Sequence, residues 1–394
     1  MNIKLSSRVK RVKPSPTLAV TALAAKLRSE GKDVIGLGAG EPDFDTPEHI
    51  KLAAIEAIHN GQTKYTAVDG TAELKQAIID KFQRDNGFSY EPEQVLVSCG
   101  GKQSFYNLFQ AMIDPGDEVI IPAPYWVSYP DMVLLADGTP VIVEASQEQG
   151  FKLLPEQLEA AITERTKVFV INSPSNPTGV AYSPEELSAL GEVLRKHPDI
   201  LIATDDMYEH IVFGSQKFVN ILNACPDLSE RTIVMNGVSK AYSMTGWRIG
   251  YAAGPADLIK AMKKIQSQST SNPTSISQAA SVAALNGDQS CIAEMLKAFE
   301  QRHAFVVERL NSIEGISCLP SDGTFYSFPD VRGVVEKLGL ADDTALGEYL
   351  LNEAGVAVVP GSAFGLSGHI RLSFATSMGN LEQALERIAN AVNK

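Results

Sequence analysis

Short apolar runs alternate with amphipathic stretches through the middle of the chain. The runs are rich in valine and isoleucine, which predicts buried strands; these are Val95–Ser98, Glu118–Pro122, Lys167–Asn172, Ile200–Thr204 and Thr232–Asn236. The stretches between them have helical periodicity. Because strands that alternate with helices form βαβ units, the pattern predicts an α/β fold with a mainly parallel sheet.

The flanking parts of the chain have patterns of their own. The predicted helices there are Leu18–Glu30, Pro47–Asn60, Thr71–Asn86, Asp257–Gln266, Ser277–Leu285, Gln289–Glu314 and Asp343–Glu353. The segment Ser321–Phe328 is strand-like, and His369–Phe374 alternates as a half-buried strand. A charged residue, Arg371, lies inside that last strand, where a charge is uncommon unless it is paired.

A chain of 394 residues is longer than one hydrophobic core usually serves, so two lobes are expected. We place the boundary between them near Asn286 and Gly287. The predicted division is an N-terminal arm with part of a small domain (residues 1–46), a large domain (residues 47–286) and a small C-terminal domain (residues 287–394).

Composition and charge exclude several classes of function. Hydrophobic residues make up 44% of the chain and charged residues 21%, which is typical of a soluble globular protein. The net charge of −13 argues against binding to nucleic acid or to an anionic membrane surface. The four cysteines are far apart, and the six histidines lack metal-ligand spacing, so neither a disulfide framework nor a metal site is predicted. A cytoplasmic location is expected.

Unusual polar and aromatic residues follow several of the predicted strands. Trp126 follows the second strand, the segment 173–179 follows the third, and Asp205 follows the fourth, with Tyr208 three residues later. Lys240 follows the fifth. In open α/β sheets, ligands bind outside the carboxyl ends of the strands, so we expect these side chains to share one site.

The segment after the fifth strand has the chemistry of a covalent cofactor site. A lysine that bonds to a carbonyl cofactor must lose its charge, and a nearby arginine can hold a phosphate with two hydrogen bonds. Gly237-Val-Ser239-Lys240, followed by Ser243-Met-x-Gly-x-Arg248-Ile-Gly250, resembles the pyridoxal-phosphate attachment signature of class-I and class-II aminotransferases. Nearly the whole chain resembles enzymes of the aspartate aminotransferase type.

The resemblance implies a fold type I enzyme, with a large domain around a mainly parallel seven-stranded sheet and a smaller α/β domain. It also implies pyridoxal 5'-phosphate on Lys240, which would be the catalytic residue. The implied cofactor-binding residues are Gly101, Lys102, Trp126, Asn176, Asp205, Tyr208, Ser239, Arg248 and Tyr65, the last reaching the cofactor phosphate of a second subunit. The implied substrate-binding residues are Gly40, Trp126, Asn176 and Arg371.

Chemistry supports two of these roles independently. The pyridine ring withdraws electrons only while its nitrogen is protonated, and a carboxylate at the end of an apolar strand, Asp205, can keep it so. The glycine turn before Gly101 and Lys102 directs free N–H groups at the start of a helix toward an anion. A purely structural role stays open for three of these residues. Gly40 could be a plain turn glycine, Trp126 could pack in the core, and Arg371 could form an ordinary salt bridge.

The predicted reaction is amino-group transfer between aspartate, or a related amino acid, and 2-oxoglutarate, in a homodimer with shared active sites. The alternatives are a lyase, such as a C–S lyase, and a non-catalytic regulator on the same fold.

The better-known aspartate aminotransferases hold the distal carboxylate with an arginine shortly before an S-N-P segment. Here Ser267–Thr270 precede Ser271-Asn-Pro273 with no arginine, so Lys102 and Lys13 are candidates for that task. Prephenate and aromatic acids are further candidate substrates.

Overall fold

A computed structural model describes residues 3–393 of the chain. The strands are β1 Ile35–Gly36, β2 Val95–Ser98, β3 Glu118–Ala123, β4 Thr139–Glu144, β5 Thr166–Asn172, β6 Leu201–Asp205, β7 Thr232–Gly237, β8 Gly250–Ala253, β9 Tyr326–Ser327, β10 Val356–Ala357, β11 Val359–Pro360 and β12 Ile370–Ser373. The α-helices are α1 Ser7–Arg11, α2 Pro16–Ser29, α3 Glu48–His59, α4 Ala72–Asn86, α5 Gly101–Met112, α6 Ser128–Leu135, α7 Pro155–Ala161, α8 Pro184–Arg195, α9 Ile221–Ala224, α10 Ala256–Ser267, α11 Ser275–Asn286, α12 Ser290–Asn311, α13 Arg332–Lys337, α14 Asp343–Tyr349 and α15 Met378–Val392.

Seven strands form the main sheet, in the order β2-β8-β7-β6-β5-β3-β4. Neighbouring strands are parallel except at β8, which runs antiparallel to both β7 and β2. The predicted mainly parallel seven-stranded sheet is therefore confirmed. Because of this topology, the carboxyl ends of β2, β3, β5, β6 and β7 meet the amino end of β8 at one edge of the sheet.

Helices cover both faces of this sheet, which explains why its central strands are continuous apolar runs. In β5, Val168 and Val170 pack on the side of α5 and α10, whereas Phe169 and Ile171 pack on the side of α4 and α8. Successive side chains of a strand point to opposite faces, so a strand buried on both sides needs apolar residues at every position.

Two smaller sheets lie outside the main one. Strands β11, β12 and β9 form an antiparallel sheet, and β1 pairs in parallel with β10. A separate apolar cluster joins β1, β9, β10 and β12 to α12 and α15. The segment before α3 thus pairs with a strand from the C-terminal part of the chain. The exact division at residues 46/47 and 286/287 stays a prediction.

Some elements differ from the sequence-based expectation. Only Tyr326–Ser327 of the strand-like segment Ser321–Phe328 pairs as a strand, because the preceding residues form turns that bond to Gly179 and Ile211. The helix predicted to continue to Glu353 changes to a π-helical turn at Leu350–Ala354. Within residues 3–393, no helix is long and apolar enough to cross a membrane.

Candidate active site

A cavity of about 420 Å³ lies at the sheet edge where these strands end. Most of the residues predicted to bind cofactor or substrate line it, and they are Gly40, Gly101, Lys102, Trp126, Asn176, Asp205, Tyr208, Ser239, Lys240, Arg248 and Arg371. Ser15 and Thr17, at the start of α2, line it from the N-terminal arm. Two other predicted residues, Lys13 and Tyr65, lie outside this lining.

Lys240 lies three residues beyond the end of β7, and its Nζ donates a hydrogen bond to the carbonyl oxygen of Gly40 at 2.5 Å. Burial is the main cause that lowers the pKa of this amine to about 8; the positive charges of Arg371 and Arg248 act in the same direction, while Glu41 and Asp205 oppose them. A lysine with such a pKa has a substantial neutral fraction near pH 8. Neutral amine is the form that attacks a carbonyl carbon.

Asp205 is the last residue of β6 and is buried. Burial raises the pKa of its carboxyl group to about 6, although hydrogen bonds from the Tyr129 hydroxyl and the Met207 backbone N–H stabilise the ionised form. The neighbouring Asp206 points away from the cavity, and its Oδ2 accepts a hydrogen bond from Asn220 Nδ2 at 2.6 Å. Asp205 is therefore the acidic residue of this pair that faces the cavity.

An anion site lies where β2 leads into α5. Gly100 has a left-handed φ of 89°, and α5 begins at the next residue, so the amino end of a 12-residue helix points at the cavity. The guanidinium of Arg248 packs against Gly100, where its Nη2 lies 3.4 Å from the carbonyl oxygen of Cys99. This arrangement of a helix amino end and a guanidinium fits a phosphate group.

Arg371 in β12 forms the opposite wall and is only 2% exposed. Its guanidinium donates to the Gly38 carbonyl oxygen at 2.8 Å and to Asn176 Oδ1 at 3.0 Å, and its central carbon lies 4.3 Å from the ring centroid of Tyr326. Its Nε has no hydrogen-bond partner, and no salt bridge to Arg371 forms within residues 3–393. A buried cation with free hydrogen-bonding capacity fits the carboxylate of a ligand.

The two candidate lysines lie in different surroundings. Lys102 lines the cavity, and its Nζ is 5.4 Å from the ring centroid of Trp126. Burial lowers the pKa of Lys102, as does Arg248, while Asp131 opposes both. Lys13 is exposed, and its backbone N–H lies 3.5 Å from Asp131 Oδ1. Asp131 thus links the arm to the side of the cavity that holds Lys102.

Several residues in or next to the cavity were missed at the sequence level. Tyr129 bonds to Asp205, the Tyr326 hydroxyl lies 3.0 Å from that of Tyr208, and Glu41 accepts a hydrogen bond from Thr245 Oγ1 at 2.7 Å. Tyr129 follows Trp126 by three residues in the first turn of α6. Trp126 precedes α6, so no helical spacing relates the two residues, and no local pattern marks Tyr129 as part of the site.

A second cluster of titratable groups lies outside the cavity lining, near Asp206. Asp85, Glu209 and His210 come close enough to hold a metal ion. The ammonium group of the fully buried Lys81 already lies among them, bonded to Glu209 and 3.8 Å from Asp85. Burial raises the pKa of Glu209, but Lys81 and His210 outweigh it, so the net pKa is lowered. The Lys81 ammonium group thus balances the charge of these carboxylates.

Comparison with known proteins shows a full-length match. The sequence model of the family "Aminotransferase class I and II" matches residues 32–388. The aspartate/prephenate aminotransferase of Nitrosomonas europaea is 64% identical over 397 residues, covering 99% of this chain and all of the relative. The aspartate aminotransferase of Bacillus subtilis is 53% identical, and the match covers both chains completely.

Solved structures show the same likeness. The crystal structure of the aspartate aminotransferase from Rhizobium meliloti superposes with a TM-score of 0.95 at 52% identity, covering 100% of this chain and 99% of the other. The structure of the aspartate aminotransferase from Thermus thermophilus with maleate superposes with a TM-score of 0.93 at 45% identity, covering 99% and 100%. The expected fold type I is therefore confirmed.

The cavity agrees with the cofactor of this family. An unpartnered buried Nε on Arg371, an anion site at Arg248 and α5, and a lysine of lowered pKa together suit pyridoxal 5'-phosphate and a carboxylate substrate. The aminotransferase prediction is confirmed over the lyase and regulator alternatives by the full-length relatives. The chain belongs to the class I and II aminotransferases, and it is a pyridoxal-phosphate-dependent enzyme of the aspartate aminotransferase type.

Proposed function

We propose that this enzyme transfers the amino group between aspartate and 2-oxoglutarate, and that it also accepts prephenate as an amino acceptor. The observation that carries the substrate class is Arg371, a buried guanidinium without a carboxylate partner in the described part of the chain. The names of the relatives from Nitrosomonas europaea and Bacillus subtilis support aspartate, and the first of them supports prephenate.

The proposed cofactor contacts follow from the positions of the side chains. Lys240 would attach the cofactor covalently, and Asp205 would accept a hydrogen bond from the pyridine nitrogen. Gly101, Lys102, Ser239 and Arg248 would hold the phosphate, Trp126 would cover the ring, and Asn176 and Tyr208 would donate hydrogen bonds to the phenolic oxygen. All of these residues line one cavity. When bound, pyridoxal phosphate supplies an electron sink for charge that develops on the substrate's α-carbon.

Lys240 is the proposed acid–base group. Burial lowers its pKa to about 8, which leaves part of the amine neutral and able to accept a proton at Nζ. Gly40, whose carbonyl oxygen accepts a hydrogen bond from that nitrogen, directs it across the cavity. In the proposed reaction Lys240 Nζ removes the proton from the substrate's α-carbon. The nearby charges of Arg371 and Arg248 contribute to this lowered pKa.

Arg371 is the proposed site for the α-carboxylate. Its two bonded nitrogens fix the plane of the guanidinium between the Gly38 carbonyl and Asn176. A side chain that is already fixed loses little conformational freedom when it binds a ligand. Arg371 therefore orients the substrate, so that its α-carbon faces Lys240 on the other side of the cavity.

The distal carboxylate is the proposed ligand of Lys102, with Lys13 as the second candidate. A lysine is a point charge on a flexible stem and holds a carboxylate less rigidly than arginine does, which agrees with tolerance for different acids. Replacing Lys102 or Lys13 by alanine is expected to raise the KM for aspartate roughly tenfold or more while changing that for alanine much less. An equal change for both substrates would show that neither lysine recognises the distal group.

The reaction is tested by mixing the enzyme with aspartate and following oxaloacetate formation with and without 2-oxoglutarate. Continuous turnover is expected only when 2-oxoglutarate is present, because an aminotransferase must pass the amino group on before it can react again. Substituting prephenate for 2-oxoglutarate tests the second acceptor. Release of ammonia without any oxo acid would identify a lyase-type reaction and would contradict the proposal.

We also propose a homodimer in which Tyr65 contacts the cofactor phosphate of the other subunit. Tyr65 is 91% exposed, and α3 shows an exposed apolar stripe at Leu52, Ile55 and Ile58. A patch of this kind on one face is typical of a surface that another chain covers.

We further propose that the enzyme is located in the cytoplasm. Its four cysteines are free, which is typical of proteins in that reducing compartment.

A further inference from the structure

The segment that carries Tyr65 has little regular structure of its own. Residues 61–71 connect α3 to α4, and no helix or strand includes them. A tyrosine that must reach a ligand on another subunit needs a fixed backbone beneath it. Each freely rotating backbone dihedral reduces the fraction of time that the tyrosine spends in the binding position. Two buried glutamines from outside the segment supply that support.

Gln278 in the first turn of α11 is the first of them, and it is 0% exposed. Its Oε1 accepts a hydrogen bond from the Thr71 backbone N–H at 2.8 Å. Its Nε2 donates to Thr66 Oγ1 at 3.0 Å and to the Pro273 carbonyl oxygen at 2.9 Å. One side chain therefore fixes both ends of the stretch 66–71 and joins it to the polar segment before α11.

Gln266 near the end of α10 is the second. Its Nε2 donates to the carbonyl oxygens of Val68 and Val97, both at 2.7 Å, and its Oε1 accepts from Ser98 Oγ at 2.7 Å. Gly70 lies so close to Val97 that a Cβ there would overlap it. Gln266 thus holds the middle of the segment against β2, which leads into the subunit's own anion site, whereas Gln278 makes no bond to that site.

We propose that Gln278 is a positioning residue that acts in trans: it fixes the segment 66–71 so that Tyr65 is presented to the cofactor phosphate of the second subunit. This proposal rests on the proposed dimer and on the proposed role of Tyr65. Loss of the Gln278 bonds frees the backbone next to Tyr65 without altering the side chains that line the cavity of the same subunit. Its effect on cofactor binding must then appear in the partner's site.

Hybrid dimers distinguish an effect of Gln278 on the partner's site from an effect on the site of its own subunit. Two differently tagged copies are co-expressed, one of which carries Lys240→Ala, so that the absorbance of lysine-bound cofactor reports only the site with an intact Lys240. In the trans hybrid, Gln278→Met is on the chain with Lys240→Ala; in the cis hybrid, it is on the other chain. Each hybrid is freed of cofactor and titrated with pyridoxal phosphate. The trans hybrid is expected to bind about tenfold more weakly than the unmodified hybrid, and the cis hybrid equally well.

Two further variants guard against a general loss of stability. Gln289→Met removes the same number of side-chain hydrogen bonds, to Tyr242, Ala284 and Gly287, none of which lies in the segment 61–71, and it should leave both hybrids unchanged. Thr66→Val removes a single bond to Gln278 and leaves α11 intact. It should reproduce the trans pattern to a smaller extent even if Gln278→Met does not fold.

Tyr65→Phe distinguishes the two proposals. If Tyr65→Phe weakens binding in the trans hybrid and neither Gln278→Met nor Thr66→Val does, the role of Gln278 is wrong and the dimer proposal stands. Equal losses in the cis and trans hybrids from Gln278→Met would also overturn its role. If Tyr65→Phe has no effect in trans, the shared site itself is wrong, and the role of Gln278 falls with it.

Discussion

At the scale of single residues, burial acts on the two key ionisable groups in opposite directions. It lowers the pKa of Lys240 to about 8 and raises that of Asp205 to about 6. Both shifts follow from the cost of keeping a charge away from water. The lysine is thereby brought to a pKa useful for proton transfer, while Asp205 needs hydrogen bonds to remain ionised near neutral pH.

Tyr129 is the side chain that supplies such a bond, so Tyr129→Phe should raise the pKa of Asp205 above about 6. The protonated carboxyl group then persists to higher pH and no longer pairs with a protonated pyridine nitrogen. We expect the acid limb of the pH profile of cofactor affinity to move to higher pH, with an affinity loss of roughly tenfold near pH 6. Titration of cofactor-free protein between pH 5 and 8 measures this.

Tyr182→Phe is the matched control, because it removes a buried hydroxyl that bonds to the Leu153 backbone N–H and not to Asp205. It should leave the acid limb in place. An unchanged limb in Tyr129→Phe would show that this hydroxyl does not stabilise the ionised carboxylate.

The sequence predicts most of the site because its residues follow apolar strands. Asp205 and Lys240 could be found in this way, since the carboxyl ends of parallel strands meet at one edge. Tyr129 could not, because its direction depends on how α6 packs against the sheet. Glu41 was missed for a similar reason: its bond to Thr245 joins segments about 200 residues apart in the chain, and no local pattern records such a contact.

At the scale of elements, the antiparallel strand β8 brings Gly250 against the anion-binding turn. Gly250 pairs with Ser98 of β2, and a Cβ on it would overlap the backbone of Gly100 and Gly101. The anion site therefore depends on a residue without a side chain at this position. Close approach of two backbones is a common reason for glycine inside a strand.

Gly250→Ala should push the turn away from its present place. We expect the free energy of unfolding to fall by about 1–3 kcal/mol, as for other overpacked sites, and the affinity for pyridoxal phosphate to fall as well. Denaturant unfolding and cofactor titration measure the two effects. Gly246→Ala is the control, because a Cβ there meets no atom within 4 Å. If both variants retain normal affinity, the close approach is unimportant for the anion site.

Five strands of the main sheet were predictable because burial on both faces requires unbroken apolar runs. Strands β4 and β8 were not predicted, and β4 consists of exposed and partly buried residues. The strands of the C-terminal part were less predictable. Ser321–Phe328 has the composition of a strand, yet tertiary hydrogen bonds from Asp322, Gly323 and Thr324 to Gly179 and Ile211 turn most of it into a loop. The antiparallel direction of β8 also left no trace in the sequence, since residue patterns fix the period of a strand and not its direction.

At the scale of the whole molecule, the enzyme should be a homodimer with sites shared between subunits. The exposed Tyr65 and the apolar stripe on α3 motivate this expectation. Light scattering over a range of concentrations should give twice the mass of one chain, and dilution that causes dissociation should release cofactor. A monomer that keeps full activity would contradict the shared site.

The central claim is that this chain is an aminotransferase that attaches pyridoxal phosphate to Lys240. The most direct measurement is reduction of the loaded enzyme with borohydride, which makes the lysine–cofactor bond permanent, followed by proteolysis and mass spectrometry of the peptides. One pyridoxyl group per chain is expected, on the peptide that contains Lys240, and Lys240→Ala should lose this group together with nearly all turnover. Modification of another lysine, such as Lys102, with Lys240 unmodified would show that Lys240 is not the attachment site.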